Sequence, residues 1–188
     1  MQERLAVPGF IRGRRYSVVG SGPQFLVTYE VADLKVFTSP DYLDRLNNPS
    51  RWTSQVMPSL LNMNRSLCRV EASRGSGVGR YMQTIRFSPG AHRQAQLLAA
   101  IRHEMSRLPS QPLLCGAHLF IADRGTSTAP SRERQLRANS DAVADWILSV
   151  EGYDQAAVAE DLSELLRANG AHPDIVSHLY ALDHLVTN

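Results

Sequence analysis

Lysine is nearly missing from this chain: of twenty basic residues, nineteen are arginine and one is Lys35. Few flexible ammonium groups are therefore present for lysine-based chemistry. Cysteine is scarce too. Cys68 and Cys115 lie far apart with apolar flanks, and both are read as reduced, largely buried thiols. A catalytic thiol needs a nearby base or cation to lower its pKa, and neither local sequence supplies one. No apolar run approaches the roughly 18 residues needed to cross a bilayer. The opening MQERLAVPGFIRGRR lacks the apolar centre of a secretory signal, so the cytoplasm is the expected location.

Several motifs are also missing. His92, His103, His172, His178 and His184 show no tight metal-ligand spacing, and His103-Glu104 lacks the second histidine of H-E-x-x-H, so no metal is expected. No serine sits in G-x-S-x-G. The run Gly75-Ser76-Gly77-Val78-Gly79 has neither G-x-G-x-x-G spacing nor a P-loop lysine and reads as a linker. No cofactor-binding motif is found.

What is present suffices for a folded core: 43% of the residues are hydrophobic, which argues against wholesale disorder. Net charge is only +2, yet residues 1–80 carry eleven basic and six acidic side chains against nine and twelve in residues 81–188. Arg12, Arg14 and Arg15 form a basic patch, but strand alternation splits them between faces and weakens any nucleic-acid stripe.

Residues 10–19 and 25–31, joined by Gly20-Ser21-Gly22-Pro23, read as a β-hairpin. Ser39-Pro40 is a helix start with Tyr42, Leu43 and Leu46 on its apolar face, interrupted at Asn47-Asn48-Pro49. Ser50 starts a second short helix carrying Trp52, Val56 and Met57, and residues 66–72 resume strand alternation. Beyond the linker, residues 81–87 read as a strand. A helix over 91–108 follows, with Leu97, Ile101, Met105 and Leu108 on one face. A strand over 113–122, a polar stretch with a short helix around 133–138, and a strand over 145–151 come next. Asp154 caps a helix with Val158, Leu162, Leu165 and Leu166 inward, stopped by Gly170. Residues 174–186 close the chain as a final strand. The second half is thus strand, helix, strand, strand, helix, strand, the ferredoxin-like order.

The first half matches that pattern from its second strand onward: Gly13 falls opposite Gly116, Arg15 opposite His118, Phe25 opposite Trp146, Thr28 opposite Ser149 and Glu30 opposite Glu151. The expected fold is α+β, built from two ferredoxin-like repeats. These are a truncated unit over residues 1–74 and a complete unit over 81–188, with a linker at 75–80. The missing first strand would be central, so its loss leaves unpaired neighbours. Either residues 76–87 replace it, or the natural start lies upstream of Met1; the second is the expectation.

The segments ERLAVPGFIRGRRY and YEVADLKVFTSPDYLDRLNNPSRWT resemble uncharacterised members of the dimeric α/β-barrel superfamily near its EthD-like branch. Gln2 stands where proline is usual, and the family's histidine-bearing helix would precede Met1. The resemblance implies two ferredoxin-like units whose sheets face each other to form a barrel. Any activity resting on that histidine is put in doubt.

Alternation places Leu26, Thr28 and Glu30 on one strand face, and Ile147, Ser149 and Glu151 on the matching face of the second half. The polar-containing face is assigned to the barrel interior, since helices demand an apolar partner. Glu30, Glu151 and His118 are the candidate catalytic residues, with one of them removing a proton from a small organic substrate. Arg15, Thr28, Ser149, His178 and Tyr180 are candidate ligand contacts. Burial would raise the carboxylate pKa values and Arg15 would lower them. The competing reading has both glutamates solvated at strand ends and paired with arginines. The leading function is a small-molecule-binding barrel, an auxiliary enzyme of organic-compound metabolism; a non-catalytic scaffold is second and a basic nucleic-acid-binding module third. A small organic ligand and a homodimer are the partners allowed, with no membrane.

Overall fold

Leu97, Ile101, Met105 and Leu108 are each at most 1% exposed, as their helical spacing requires. They dock a helix against one face of an antiparallel sheet. A computed structural model describes residues 1–137 and 139–188. Seven strands, β1 (Phe10–Val19), β2 (Phe25–Val31), β3 (Cys68–Arg74), β4 (Tyr81–Phe87), β5 (Leu114–Ala122), β6 (Trp146–Gly152) and β7 (Val176–Thr187), form one sheet in the order β2-β1-β7-β4-β6-β5-β3. Every neighbouring pair is antiparallel.

Among the described residues, eight α-helices accompany them: α1 (Gln2–Leu5), α2 (Pro40–Asn47), α3 (Arg51–Val56), α4 (Gln94–Arg107), α5 (Arg124–Thr128), α6 (Arg132–Gln135), α7 (Gln155–Val158) and α8 (Ser163–Ala168). None of the described helices is long and apolar enough to cross a membrane. The Ser39 and Ser50 hydroxyls accept from the backbone N–H groups of Tyr42 and Thr53, so both sequence-assigned caps start their helices. Asp154 caps α7 in the same way, but the helix expected to run on to Gly170 is split between α7 and α8. Leu162 and Val158 are nevertheless buried. Leu43 is 41% exposed and Trp52 61% exposed, unlike buried Tyr42 and Leu46. The apolar face of α2 is therefore narrower than its sequence suggests.

Three apolar clusters organise the molecule. On the helix side, α4, α7 and α8 cover Ile85, Phe87, Ala117, Leu119, Leu148 and Val150. A second cluster joins Leu5, Phe10, Phe37, Tyr42 and Leu46 to Tyr29 and Val31 at the β1–β2 end. The third, on the opposite sheet face, holds Tyr16, Met82 and Tyr180, with Val18, Leu26 and Leu182 against them.

One expectation is corrected, and one alternative is set aside. The halves do not present two sheets to each other. Ladders from β1 to β7 and from β5 to β3 merge their strands into one curled sheet, because these edges satisfy their backbone groups on each other. Nor do residues 76–87 fill the place of a lost strand: 81–87 is β4, hydrogen-bonded between β6 and β7. The sheet ends instead at β2 and β3. Contacts between Arg4 and Glu133, and from Arg65 Nη2 to the Tyr42 hydroxyl at 2.8 Å, tie the β2 end to the β5–β6 connection and the segment before β3.

Candidate functional site

Because Leu148 and Val150 face the helices, alternation turns Ser149 and Glu151 to the concave face. The same rule brings in Arg12, Arg14 and Tyr16 from β1, Thr28 and Glu30 from β2, and His178 and Tyr180 from β7. The curl then joins distant strands. Three strand spacings separate β1 from β6, about 14 Å on a flat sheet, yet Arg14 Nη1 donates to both Glu151 carboxylate oxygens at 2.9 Å.

Arg14 also donates through Nη2 to Glu30 Oε1 at 2.8 Å, so one guanidinium bridges the two glutamates singled out from the sequence. Arg12 adds Nε and Nη2 donors to Glu30 at 3.0 and 2.7 Å. Glu151 is 1% exposed and accepts a further bond from the Gly79 backbone N–H at 3.3 Å. Glu30 is half-exposed. Burial pushes its carboxyl up, but Arg12 and Arg14 outweigh this and hold it below the usual range. Burial opposes the charge on Arg14, and Glu151 more than restores it, leaving its pKa raised. Tyr16, whose hydroxyl receives a 3.3 Å bond from Arg14, is pushed up to about 12 by burial and by Glu151.

His118 enters from β5. Its Nε2 lies 3.8 Å from Glu151 Oε1 and its Nδ1 2.8 Å from the Ser73 hydroxyl on β3. Desolvation lowers its pKa, with Glu151 pulling the other way, so burial favours the uncharged imidazole. Ser149 is buried, and Thr28 pairs with Arg14 across the β1–β2 ladder. His178 and Tyr180 share the concave face with ring centroids 6.3 Å apart. Burial lowers the His178 pKa, as does Arg86. The hairpin turn lies over this ring: a Cβ at Gly22, where φ is +140°, would stand 2.3 Å from His178 Cδ2.

Arg15 does not join the cluster. It is exposed on the opposite face with its guanidinium 4.4 Å from the Phe25 ring centroid. The sequence comparison placed it opposite His118, but the ladders place the β1 match one residue earlier, with equivalent bulges between Phe10 and Arg12 in β1 and between Leu114 and Gly116 in β5. As a result, Arg14 pairs with Thr28 as His118 pairs with Ser149. Arg12, Arg14, Tyr16 and Ser73 were missed; alternation alone sets Arg12, Arg14 and Tyr16 on the face of one parity. The solvated-glutamate reading fails for Glu151, which is buried, while its expected arginine pairing is present.

Among the described residues, Arg14 Nε, Ser149 Oγ and His178 Nδ1 are buried without a hydrogen-bond partner. No group of three or more His, Cys, Asp or Glu among them could hold a metal. Both cysteines are free, and burial pushes the Cys68 thiol up to about 12. Two shallow depressions are found elsewhere. One of about 250 Å³ lies beside Pro89, Arg124 and Trp146, and one of about 390 Å³ beside Thr128, Arg134 and Arg137. Neither includes Glu30 or Glu151, as the barrel-pocket expectation required. Tyr16, Met82 and Tyr180, with the Arg14–Glu151 pair, occupy the concave interior.

No protein-family model matches the chain, and no curated protein matches it in sequence. Solved structures do match in fold. An anthrone oxidase-like protein is 12% identical with a TM-score of 0.63, covering 98% of this chain and 81% of its own. A candidate monooxygenase from Fusobacterium nucleatum is 8% identical with a TM-score of 0.60, covering 96% and 79%. Another from Lactobacillus acidophilus is 9% identical with a TM-score of 0.57, covering 99% and 85%. These likenesses give the fold class: a curled, helix-backed antiparallel sheet of the ferredoxin-like α/β-barrel kind.

Proposed function

We propose that the protein binds a small organic molecule at the concave face of its sheet and acts as an auxiliary enzyme of organic-compound metabolism, with His118 as proton acceptor. The observation that carries this reading is the pair of unpartnered buried atoms, Arg14 Nε and Ser149 Oγ, on the face that also gathers Glu30, Glu151 and His118. An unsatisfied buried polar group costs about 1–3 kcal/mol, and a ligand atom or ordered water at each would recover that cost. Arg12 and Arg14 face two carboxylates in equal number, which suits a neutral ligand such as a phenol or ketone over an ion. The neighbours' names, anthrone oxidase-like and monooxygenase, agree with a small organic ligand, although a shared fold by itself assigns no reaction. Thr28, His178 and Tyr180 are the remaining proposed contacts.

A panel of neutral phenols and ketones tests the reading by thermal shift. At least one should raise the melting temperature of the natural chain, and Glu30→Gln with Glu151→Gln should abolish the rise. An unchanged shift in the double variant refutes it. The second reading, a non-catalytic scaffold, is favoured by the filled interior and predicts no shift with any member.

We further read the chain as two related units, residues 1–74 and 81–188. The support is the order β7-β4-β6-β5 in the second unit, which is ferredoxin-like, and the matched registers Arg14–Thr28 and His118–Ser149. In this reading β2 and β3 flank the position that β4 holds in the second unit, and one added strand there closes an eight-stranded barrel. The EthD-like placement rests on the sequence resemblance over residues 3–70.

A further inference from the structure

Two ring nitrogens give His118 two different neighbours, and these decide where its proton sits. Glu151 lies 3.8 Å from Nε2, and a carboxylate favours the tautomer whose N–H faces it. Nδ1 then carries the lone pair, and the Ser73 hydroxyl, 2.8 Å away, donates to it. Burial favours the uncharged imidazole. The third member is fixed in place: Glu151 is 1% exposed and held by Arg14 and by the Gly79 N–H. Gly116 makes room for the ring, since a Cβ there would lie 3.0 Å from His118 Nε2. Ser73, by contrast, is exposed and sits on β3 at the end of the sheet, where an acyl donor can reach it.

We propose that Ser73, His118 and Glu151 form a nucleophilic relay that accepts the acyl group of small activated esters. The arrangement has the order of roles of a serine–histidine–carboxylate triad: nucleophile, base, and the group that orients the base. Ser73 Oγ attacks the ester carbonyl carbon and its proton passes to His118 Nδ1. The bond from that carbon to the leaving oxygen breaks, and the phenolate departs with the electron pair. The proton on His118 is then released to solvent. The freed Nδ1 takes a proton from water as that water attacks the acyl carbon, the bond from this carbon to Ser73 Oγ breaks, and His118 returns the proton to Oγ, leaving a carboxylic acid and the serine hydroxyl. Aryl esters match the relay because a phenolate leaves without prior protonation. The proposal rests on the reading of His118 as proton acceptor and adds Ser73, which that reading does not use.

The full chain treated with p-nitrophenyl acetate tests it, with phenolate release followed by absorbance and the acetyl group located by peptide mass spectrometry. The acetyl group should map to Ser73. Ser73→Ala and His118→Gln should each slow release by about 100-fold. Ser73→Ala alters an exposed side chain, so it keeps the test valid if His118→Gln fails to fold. Glu151 acts by positioning. Besides Ser73, its ring neighbour His118 faces Arg14, Glu30 and Arg12, and losing the Glu151 charge should move the pH midpoint of acylation lower in Glu151→Gln. Acetylation at another residue, or release from Ser73→Ala at the natural rate, overturns the relay. If a phenol or ketone still raises the melting temperature in that case, the ligand-binding reading survives. If the shift is absent too, both fall together.

Discussion

A carboxylate as buried as Glu151 needs its charge and its lone pairs satisfied locally, and Arg14 does most of this with two 2.9 Å bonds. Removing only the arginine leaves a stranded charge, so Arg14→Met should cost about 3–5 kcal/mol in urea unfolding. Replacing both partners, Arg14→Met with Glu151→Leu, should recover most of that loss, since an apolar pair avoids the desolvation of two ions. Equal losses in the single and double variants would show that the pair is not energetically coupled. His118 makes a pH prediction at the same scale. Its folded pKa lies below the ordinary 6.5, so the unfolded chain binds more protons in the window between the two values. Stability is therefore complete above about pH 7 and falls as the pH drops through 6.5 toward the folded value. His178 is lowered in the same direction and adds to the slope. His118→Gln should flatten the slope in part, and an unchanged slope would assign it to other groups.

Elements formed where local signals agreed. Ser39, followed by Pro40, caps α2 through the Tyr42 N–H, and Ser39→Ala should lower stability by about 1 kcal/mol. Ile101 is fully buried in the α4 face, and Ile101→Ala should cost about 2–5 kcal/mol. A loss under 1 kcal/mol in chemical denaturation would mean that α4 closes over the cavity. The hairpin of β1 and β2 and the apolar stripe of α4 were readable because turn residues and periodicity mark them directly. The break between α7 and α8 was not, because Val158, Leu162 and Leu166 keep helical spacing across it while the chain bends to bury all three. The register that relates β1 to β5 was equally hidden. The match between the halves had been drawn one residue off along β1, which put Arg15 in the place that the ladders give to Arg14.

At the scale of the whole molecule the sheet has two ends, β2 and β3, and its centre is β7, β4 and β6. Amide exchange should follow that order. The outward amides of β2 and β3 should exchange early, and those of β4 and β6 should approach the global unfolding limit. Strong protection on both β2 and β3 edges would mean that another strand pairs with them in solution.

Taken alone, the sequence determined the element order and the helix caps. It also set the polar face shared by Thr28, Glu30, Ser149 and Glu151, because these follow from contacts within a few residues and from a period of two. The tertiary structure alone decided that Arg14 bridges the two glutamates and that Ser73 meets His118, because both depend on how far a sheet curls and on where a strand bulges. Neither quantity is encoded in any short stretch of chain; each is set when distant strands settle their register against one another.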